Sequence, residues 1–419
     1  VVTGPLDDIR VVEIANWIAA PSATALMADM GASVIKVEPP GGDSMRNKLR
    51  QPRFPEGVEG TDVVFQLDNR GKRSIALDLG HERGQELVRE LIDTADVLVT
   101  NLNRSRLDRY GLGPETVRAR HPGLVFAWVT GQGTTGADAD RLAFDVTAFF
   151  GRGGVTGLLG EPDAPPVAPR SGQGDHPTGL AILVAILAAL RDRDRTGEGQ
   201  LVETALMRVG AWTVGADVAA ALVDRRQPNR RSRLHPFSPM NTSYRCADGA
   251  WLILSSHDQA TWPRFCAAAG RPELATDERF ATAPDRFARA EELVAIFDGL
   301  FGAEPFDHWP PRLAGTGVIF SKMVELPELV EDPAARAMGM FATLTHPAMG
   351  TFETLEAPFR FERSEVAARG PAPEVGQHTD EVLAELGKTP AAVAELRRAG
   401  VVGVAAPGEP QSRRRSSTR

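Results

Sequence analysis

A single carboxylate is set apart by its surroundings. Residues 172–207 read GQGDHPTGLAILVAILAALRDRDRTGEGQLVETALM, with Asp175 in a Gly-flanked turn ahead of the most apolar helical run of the chain. Pro177 suits a first helical position, where a missing N–H costs nothing. Leu180, Leu183, Val184, Leu187 and Leu190 make an apolar stripe with helical spacing. Gly197 is a fitting stop. Asp175 therefore falls at the start of a buried helix, where the backbone dipole favours an anion. A carboxylate there is either a helix cap or a working nucleophile. His176 beside it invites a dyad, but sequence neighbours seldom bond as a catalytic pair, and a helix-start histidine is more often structural.

Other residue groups are compatible with an anionic ligand. Gly71, the Gly131/Gly133 pair and the cluster Gly151, Gly153 and Gly154 could each cradle a phosphate, or simply turn the chain. Asn69–Arg70–Gly71–Lys72–Arg73 precedes a predicted strand, and Arg104, Arg106 and Arg109 follow another. Both basic groups read as lying near sheet edges rather than on a regular helix face. Several chemistries lack their motif: no GxGxxG follows the first strand, no GxSxG nucleophile elbow occurs, and no Cys/His spacing suits a metal. No carboxylate pair for glycosidic chemistry can be picked out by spacing.

These groups must be held by a framework. With 419 residues, more than one domain is expected. A net charge of −8 argues against a general nucleic-acid binder but permits a local basic pocket. The two cysteines, Cys246 and Cys266, are too few for a disulfide framework and fit a reducing cytoplasm. No signal peptide or membrane-spanning run is recognised. The basic tail PGEPQSRRRSSTR reads as a disordered end.

The spacing predicts strands at 9–14, 33–37, 74–79, 96–100 and 124–129, with helices at 21–30, 85–92 and 114–120 between them. Such alternation means a parallel α/β sheet. Ligands bind beyond the carboxyl ends of its strands, which here carry Asn16–Trp17, Asn101–Arg104 and Thr130–Gln132. The segment from Glu38 to Gly60 reads as loop. Residues 227–239 form a polar, Pro/Arg-rich linker. A hairpin is expected at 242–255 around Ala247–Asp248–Gly249, followed by mainly helical patterns to about Ala337. Two more strands (340–345, 351–355) and two helices (379–386, 390–398) close the chain.

Several blocks taken together resemble the class III CoA-transferases, a family that includes formyl-CoA and carnitine CoA-transferases. They are GPLDDIRVVEIANWIAAPSATALMADMGASVIKVEPPGGD, NRGKRSIALDL, ADVLVTNLNRSRLDRYGL, WVTGQGTTG, RLAFD, GDHPTGLAILVAILAALRDRDRTGEGQLVETAL, DGAWLILSSHDQATWPRFCAAAGRPELATDERF and GQHTDEVLAELG. Their order covers about residues 4–402. The resemblance implies a large Rossmann-like parallel-sheet domain built from both chain ends (1–226 and 338–406), a smaller α+β domain with its linker at 227–337, and an interlocked homodimer. It makes Asp175 the catalytic residue and places coenzyme A contacts at Lys72, Arg73, Asn101, Arg104 and Arg109. The substrate pocket is placed at Trp17, Ile18, Gln132 and Gly174. Acyl-CoA and a carboxylic acid are the implied substrates, with no metal, nucleic acid or membrane.

The implied route runs through an aspartyl anhydride and an aspartyl-CoA thioester. Asp175 is expected to be ionised already at neutral pH, with oxyanion donors among the backbone groups at Gly172 and Gly174. Some positions depart from formyl-CoA transferase. Ile18 replaces a Gln and no tetraglycine run lies between Ser232 and Tyr244, so oxalate or formate specificity is not expected. Ile319, followed by Phe320, stands where the family commonly has a Pro, which implies a changed pocket wall. The acyl-CoA racemases share the fold but place a His where Phe144 stands. Racemase chemistry and catalytically idle CoA binding are the alternatives.

Overall fold

The computed structural model describes residues 4–46, 62–256 and 258–403. Most of the loop expected to run to Gly60, and the tail from Pro407, lie outside the described residues. The chain divides into two compact units: residues 1–155, 169–218 and 337–419 form one, and residues 156–168 and 219–336 form the other.

The first unit is built on six parallel strands: β1 (Arg10–Ile14), β2 (Ser33–Glu38), β3 (Arg73–Ala76), β4 (Val97–Thr100), β5 (Val125–Thr130) and β6 (Leu201–Ala205), in the order β3-β2-β1-β4-β5-β6. The strands are apolar on both faces because both are covered. Register aligns Ile35, Val12, Leu98 and Phe126 in one row, and Val34, Val11, Val97 and Val125 in the adjacent one. The first row packs with α3 (Glu82–Ile92), α4 (Arg104–Tyr110), α5 (Pro114–Arg120) and the C-terminal helices 379–385 and 390–398. The second packs with α1 (Ala19–Asp29) and α6 (Asp175–Thr196). A further short helix, α2 (Val63–Asn69), lies against α1. The strand order reverses between β1 and β4, which opens a crevice at their carboxyl ends.

The chain end is stitched to this sheet. His378 Nδ1 accepts the Ser74 N–H at 3.1 Å, and the Asp78 N–H donates to the Val401 carbonyl at 2.9 Å. A hairpin of β10 (Phe341–His346) and β11 (Gly350–Leu355) belongs to the same unit. In the second unit, β7 (Ser243–Arg245), β8 (Trp251–Ser255) and β9 (Ile319–Met323) form an antiparallel sheet. Its core gathers Tyr244, Trp262, Phe265, Phe297, Phe301 and Trp309. Among the described residues no single helix is long and apolar enough to cross a membrane.

Three local expectations change. Arg104, Arg106 and Arg109 lie on a regular helix, α4, which Asn103 caps by accepting the Arg106 N–H. Strand β6 was hidden in the polar lead of QLVETA, because an edge strand keeps only part of its length buried. Helix α6 begins at Asp175, so Pro177 is its third residue. Its buried side is Ile182, Leu183, Ile186, Ala189 and Leu190, whereas Leu180 and Val184 face outward, Val184 being 65% exposed. The apolar residues encircle this helix, so spacing alone could not choose its inner side.

Helices α1 and α6 approach closely because their contact is made of small residues. All eleven residues of α1 are buried. A Cβ added at Gly179 would lie 2.2 Å from Ser22 Oγ and 2.8 Å from the Ala19 carbonyl oxygen. The Ala19 backbone cannot yield without moving the turn before it. Gly179→Ala is therefore expected to destabilise the fold by about 1–3 kcal/mol, the usual cost of overpacking. A urea midpoint equal to that of the unmodified protein would contradict this packing account.

Candidate active site

The site is assembled from loops that leave the carboxyl ends of β1, β4 and β5, closed by the start of α6. Residues 15–18 leave β1 in a tight turn. Asn16 is gripped from β4: its N–H donates to Asn101 Oδ1 at 3.1 Å, and its carbonyl accepts from Asn101 Nδ2 at 2.6 Å. Trp17 has φ of +71°, in the left-handed region that a bulky residue rarely occupies. Its N–H donates to Asp43 Oδ1 at 3.1 Å. Its ring meets Phe144 edge-on, with centroids 4.9 Å apart.

Beneath the turn lies a buried ion network. Glu13, in the middle of β1, is fully buried and pairs with Lys36 at 2.6 Å and Lys72 at 2.7 Å. Lys36 also lies 2.8 Å from Asp43. Thr24 donates to the same Glu13 carboxylate. Burial alone would push Glu13 up, but the two ammonium groups outweigh it and hold the carboxyl at about 2. Burial lowers Lys72 to about 8 even with Glu13 opposing the shift. Removing such ions from water costs several kcal/mol each, so the group persists only because every charge has a partner.

Asp175 occupies the first position of α6, after Gly174. The geometry before it is set by Asp145, which is 1% exposed. Its Oδ2 accepts the N–H groups of Gly172 at 2.8 Å and Gly174 at 3.1 Å, and its Oδ1 accepts that of Val146 at 2.8 Å. Gly174 also lacks room for a side chain: a Cβ there would lie 2.7 Å from Phe149 Cγ. Asp145 opens a π-helical turn, Val146–Arg152, whose Phe149 and Phe150 enter the core. Burial first, then the Asp145 carboxylate, push the Asp175 carboxyl up to about 7; His176 pulls it down and Asp68 pushes it up.

This corrects two expectations. The Gly172 and Gly174 N–H groups are committed to Asp145, so they are not oxyanion donors. Asp175 is not fully ionised at neutral pH, because its surroundings penalise the charge.

The residues expected to line the pocket lie on the loops after β1 and β5 and just before α6. Ile18 is buried, and its Cδ1 would lie 3.5 Å from a Cβ placed on Gly172. Gln132 is buried, and its Oε1 finds no donor among the described residues. Gly131 lets the Gln132 loop close on Ala143, since a Cβ there would lie 2.5 Å from that of Ala143. Trp17 and Gly174 stand as described above. Trp128, Phe149 and Phe150 belong to the core, and Phe237 belongs to the other unit.

The candidate coenzyme A contacts separate. Arg109 is exposed on α4 and makes no ion pair among the described residues. Arg104 is exposed but pairs with Asp108 at 2.9 Å and Glu115 at 3.0 Å. Asn101 clamps the β1 turn. Lys72 is a correction: its ammonium is wholly buried, bonded to Glu13, the Pro21 and Asp68 carbonyls and Asn69 Oδ1. Arg73 is another. It begins β3, on the amino edge of the sheet opposite Asn101, and pairs with Glu381 at 2.8 Å and with Glu385.

Sequence reasoning left Asp145, Asp68 and Asp43 without roles, and placed Asn16 only at a strand end. Glu13 and Lys36 carried a usable signal: a charge amid β-branched residues of a buried strand must find an opposite charge.

Comparison with known proteins identifies the family. The family model described as CoA-transferase family III matches residues 6–379. The chain is 31% identical over 383 residues to the (R)-2-hydroxy-4-methylpentanoate CoA-transferase of Clostridioides difficile, covering 91% of this chain and 95% of that one. It is 34% identical to the succinate–glutarate CoA-transferase of Agrobacterium fabrum, with 91% and 96% covered. Among solved structures, a CAIB/BAIF family protein from Brucella suis superposes with a TM-score of 0.81 at 33% identity, over 92% of this chain and 100% of that one. The chain belongs to CoA-transferase family III.

The Asp175 carboxyl has a consequence for stability. Its folded-state value, about 7, lies above the usual aspartate range near 4. Between those values the folded state holds a proton that the unfolded state has released, so stability falls as pH rises through that window. Asp175→Asn removes the penalty. The variant is expected to melt above the unmodified protein at pH 8 and to approach it at pH 4. Equal melting temperatures at both pH values would refute the burial argument.

Proposed function

We propose that this family III CoA-transferase moves coenzyme A from an acyl-CoA donor to a free carboxylic acid, with Asp175 carrying the group between them. The observation that carries the reading is the Asp175 carboxyl itself. It sits at a helix start, beside the strand-order reversal, with its charge destabilised by burial. A desolvated carboxylate is a stronger nucleophile than a hydrated one.

The steps balance without water or a metal. A carboxylate oxygen of Asp175 attacks the thioester carbonyl, and the C–S bond breaks to release CoA thiolate and leave a mixed anhydride. The thiolate attacks the Asp175 acyl carbon, freeing the donor as its carboxylate and leaving an aspartyl-CoA thioester. The acceptor carboxylate attacks that thioester, again releasing thiolate and forming a second anhydride. The thiolate then takes the acceptor acyl group, and the Asp175 carboxylate returns. Negative charge is conserved at each step, so the protein's task is placement and electrostatics.

The exposed Arg109 suits a CoA phosphate, and the Gln132 amide suits a polar group of the acyl portion. Trp17, Ile18 and Phe144 favour an apolar acyl chain. The names of the relatives span a branched 2-hydroxy acid and dicarboxylates, so the proposal stays at the class of carboxylic acids. Phe144, set against Trp17, leaves no imidazole at that position for α-proton abstraction.

Asp175→Ala is expected to lose transfer by at least about a thousandfold, while hydroxylamine traps an aspartyl adduct only in the unmodified protein. Undiminished transfer would refute the assignment. Deuterium entering the α-carbon of the acyl-CoA without an acceptor acid would point to racemase chemistry instead.

The proposal includes a homodimer. The helix α7 (Leu206–Thr213) is followed by α8 (Gly215–Asp224), which reads GADVAAALVD yet buries none of its residues. Trp212 is 84% and Val223 86% exposed. An apolar surface of this kind is normally covered by a partner. Val223→Asp is expected to shift the species seen by light scattering from dimer toward monomer. A monomer before substitution would refute the dimer.

A further inference from the structure

Asp68, in the last turn of α2, has no part in the reaction above, and its surroundings are unusual. It is fully buried. Its Oδ1 lies 3.0 Å from His176 Nε2, and its Oδ2 is buried with no partner among the described residues. The nearest cation on the other side, Lys72, bonds to the Asp68 main-chain carbonyl and to Glu13 rather than to the Asp68 carboxylate. A buried carboxylate with a single partner is far better served by a charged donor than by a neutral one.

His176 is the residue after Asp175, in the first turn of α6. Its N–H donates to the Gly172 carbonyl at 3.2 Å. The charged groups bearing on it are Asp68 from α2 and Asp175 from its own helix; Asp145, ahead of the π-helical turn, bears on Asp175 in turn. From the turn before α1 comes the apolar Ile18, which shares with His176 the surroundings of Gly172: a Cβ there would lie 3.5 Å from Ile18 Cδ1 and 3.9 Å from His176 Cε1.

We propose that Asp68 is a positioning residue that fixes His176 through Nε2 and holds it as an imidazolium beside Asp175, offsetting the repulsion of Asp145 and keeping the reacting carboxylate charged. This rests on Asp175 being the residue that carries coenzyme A. The direction of titration agrees. The bond to Asp68 raises His176 against the opposing effect of burial, and His176 draws Asp175 down. The pair also explains why a histidine follows the nucleophile although the transfer chemistry needs no general base. Its charge, rather than its ability to move a proton, is what the site uses.

The test is a carboxyl titration of Asp175 in protein labelled with [13C]aspartate, the signal being identified by its loss in Asp175→Asn. His176→Gln keeps a polar side chain of similar size and removes the charge. Because it leaves the buried Asp68 without a charged partner, native folding is checked by circular dichroism, and the double variant Asp68→Asn/His176→Gln serves as its control. The Asp175 midpoint is expected to rise by about one pH unit or more, roughly a fivefold loss of the ionised form at pH 7. The acid limb of kcat/KM should move with it, while KM for the acyl-CoA changes little. In Asp68→Asn/His176→Gln the midpoint should rise less than in His176→Gln, because no bare buried carboxylate remains. An unchanged midpoint in His176→Gln, or an equal activity loss at every pH, would overturn the proposal. Transfer surviving in Asp175→Ala would instead remove Asp175 from the mechanism, while the carboxyl titration would still report on the pair.

Discussion

The ion pair on which this site depends is the one that Lys36 and Lys72 make with Glu13. One carboxylate and two ammonium groups lie in the interior of a parallel sheet, where none could remain charged alone. Together with Asp43 they tie β1, β2 and the turn leading into β3 to a single point. Asp43 passes the constraint on, because its other oxygen holds the main-chain N–H of Trp17. A non-glycine residue at positive φ costs about 1–3 kcal/mol and persists only when its surroundings over-determine it. Here the Asp43 bond, the clamp on neighbouring Asn16 and the Trp17–Phe144 ring contact do so together.

A second carboxylate works in the same manner on the other side. Asp145 gathers three main-chain N–H groups and so fixes the loop that delivers Asp175. The same placement brings its charge near Asp175 and helps to raise that carboxyl. Structural order and functional strain therefore have one source. A neutral amide at 145 would relieve the repulsion, but it could not accept three donors equally well, because an amide has only one acceptor oxygen. The loop's precision and the raised Asp175 carboxyl cannot be separated by changing that residue alone.

Much of this was legible in the chain. The strands β1, β2, β4 and β5 were readable because β-branched runs between turn signals have few other meanings, and the stop at Gly197 follows from its αL conformation. Asp175 was legible as special, although its residue type and position fitted a cap as well as a nucleophile. Long-range pairing was not legible. Lys72 sits among basic residues in NRGKRS and reads as a phosphate ligand, yet 59 residues separate it from the Glu13 that takes its charge. Arg73 reads the same way, but the direction of β3 carries it to the far edge of the sheet. Whether a lysine meets solvent or a buried carboxylate is decided by register between strands, which a local pattern does not contain.

The Asp175 carboxyl also shows why its surroundings must be balanced rather than simply apolar. Deeper burial would make the carboxylate more nucleophilic and less often ionised, and the second effect cancels the first once the folded-state value passes the working pH. The proposed cycle adds an opposite demand. Asp175 must attack a thioester, but it must also leave from an anhydride when CoA returns to the acceptor, and a more basic carboxylate leaves more slowly. A value near neutrality meets both demands at once. It is reached with burial and Asp145 pushing one way and a neighbouring imidazole pulling the other. Burial and the position of Asp145 are dictated by the fold. The imidazole's charge is the adjustable component in the proposed arrangement, and among the described residues the Asp68 carboxylate has no other partner.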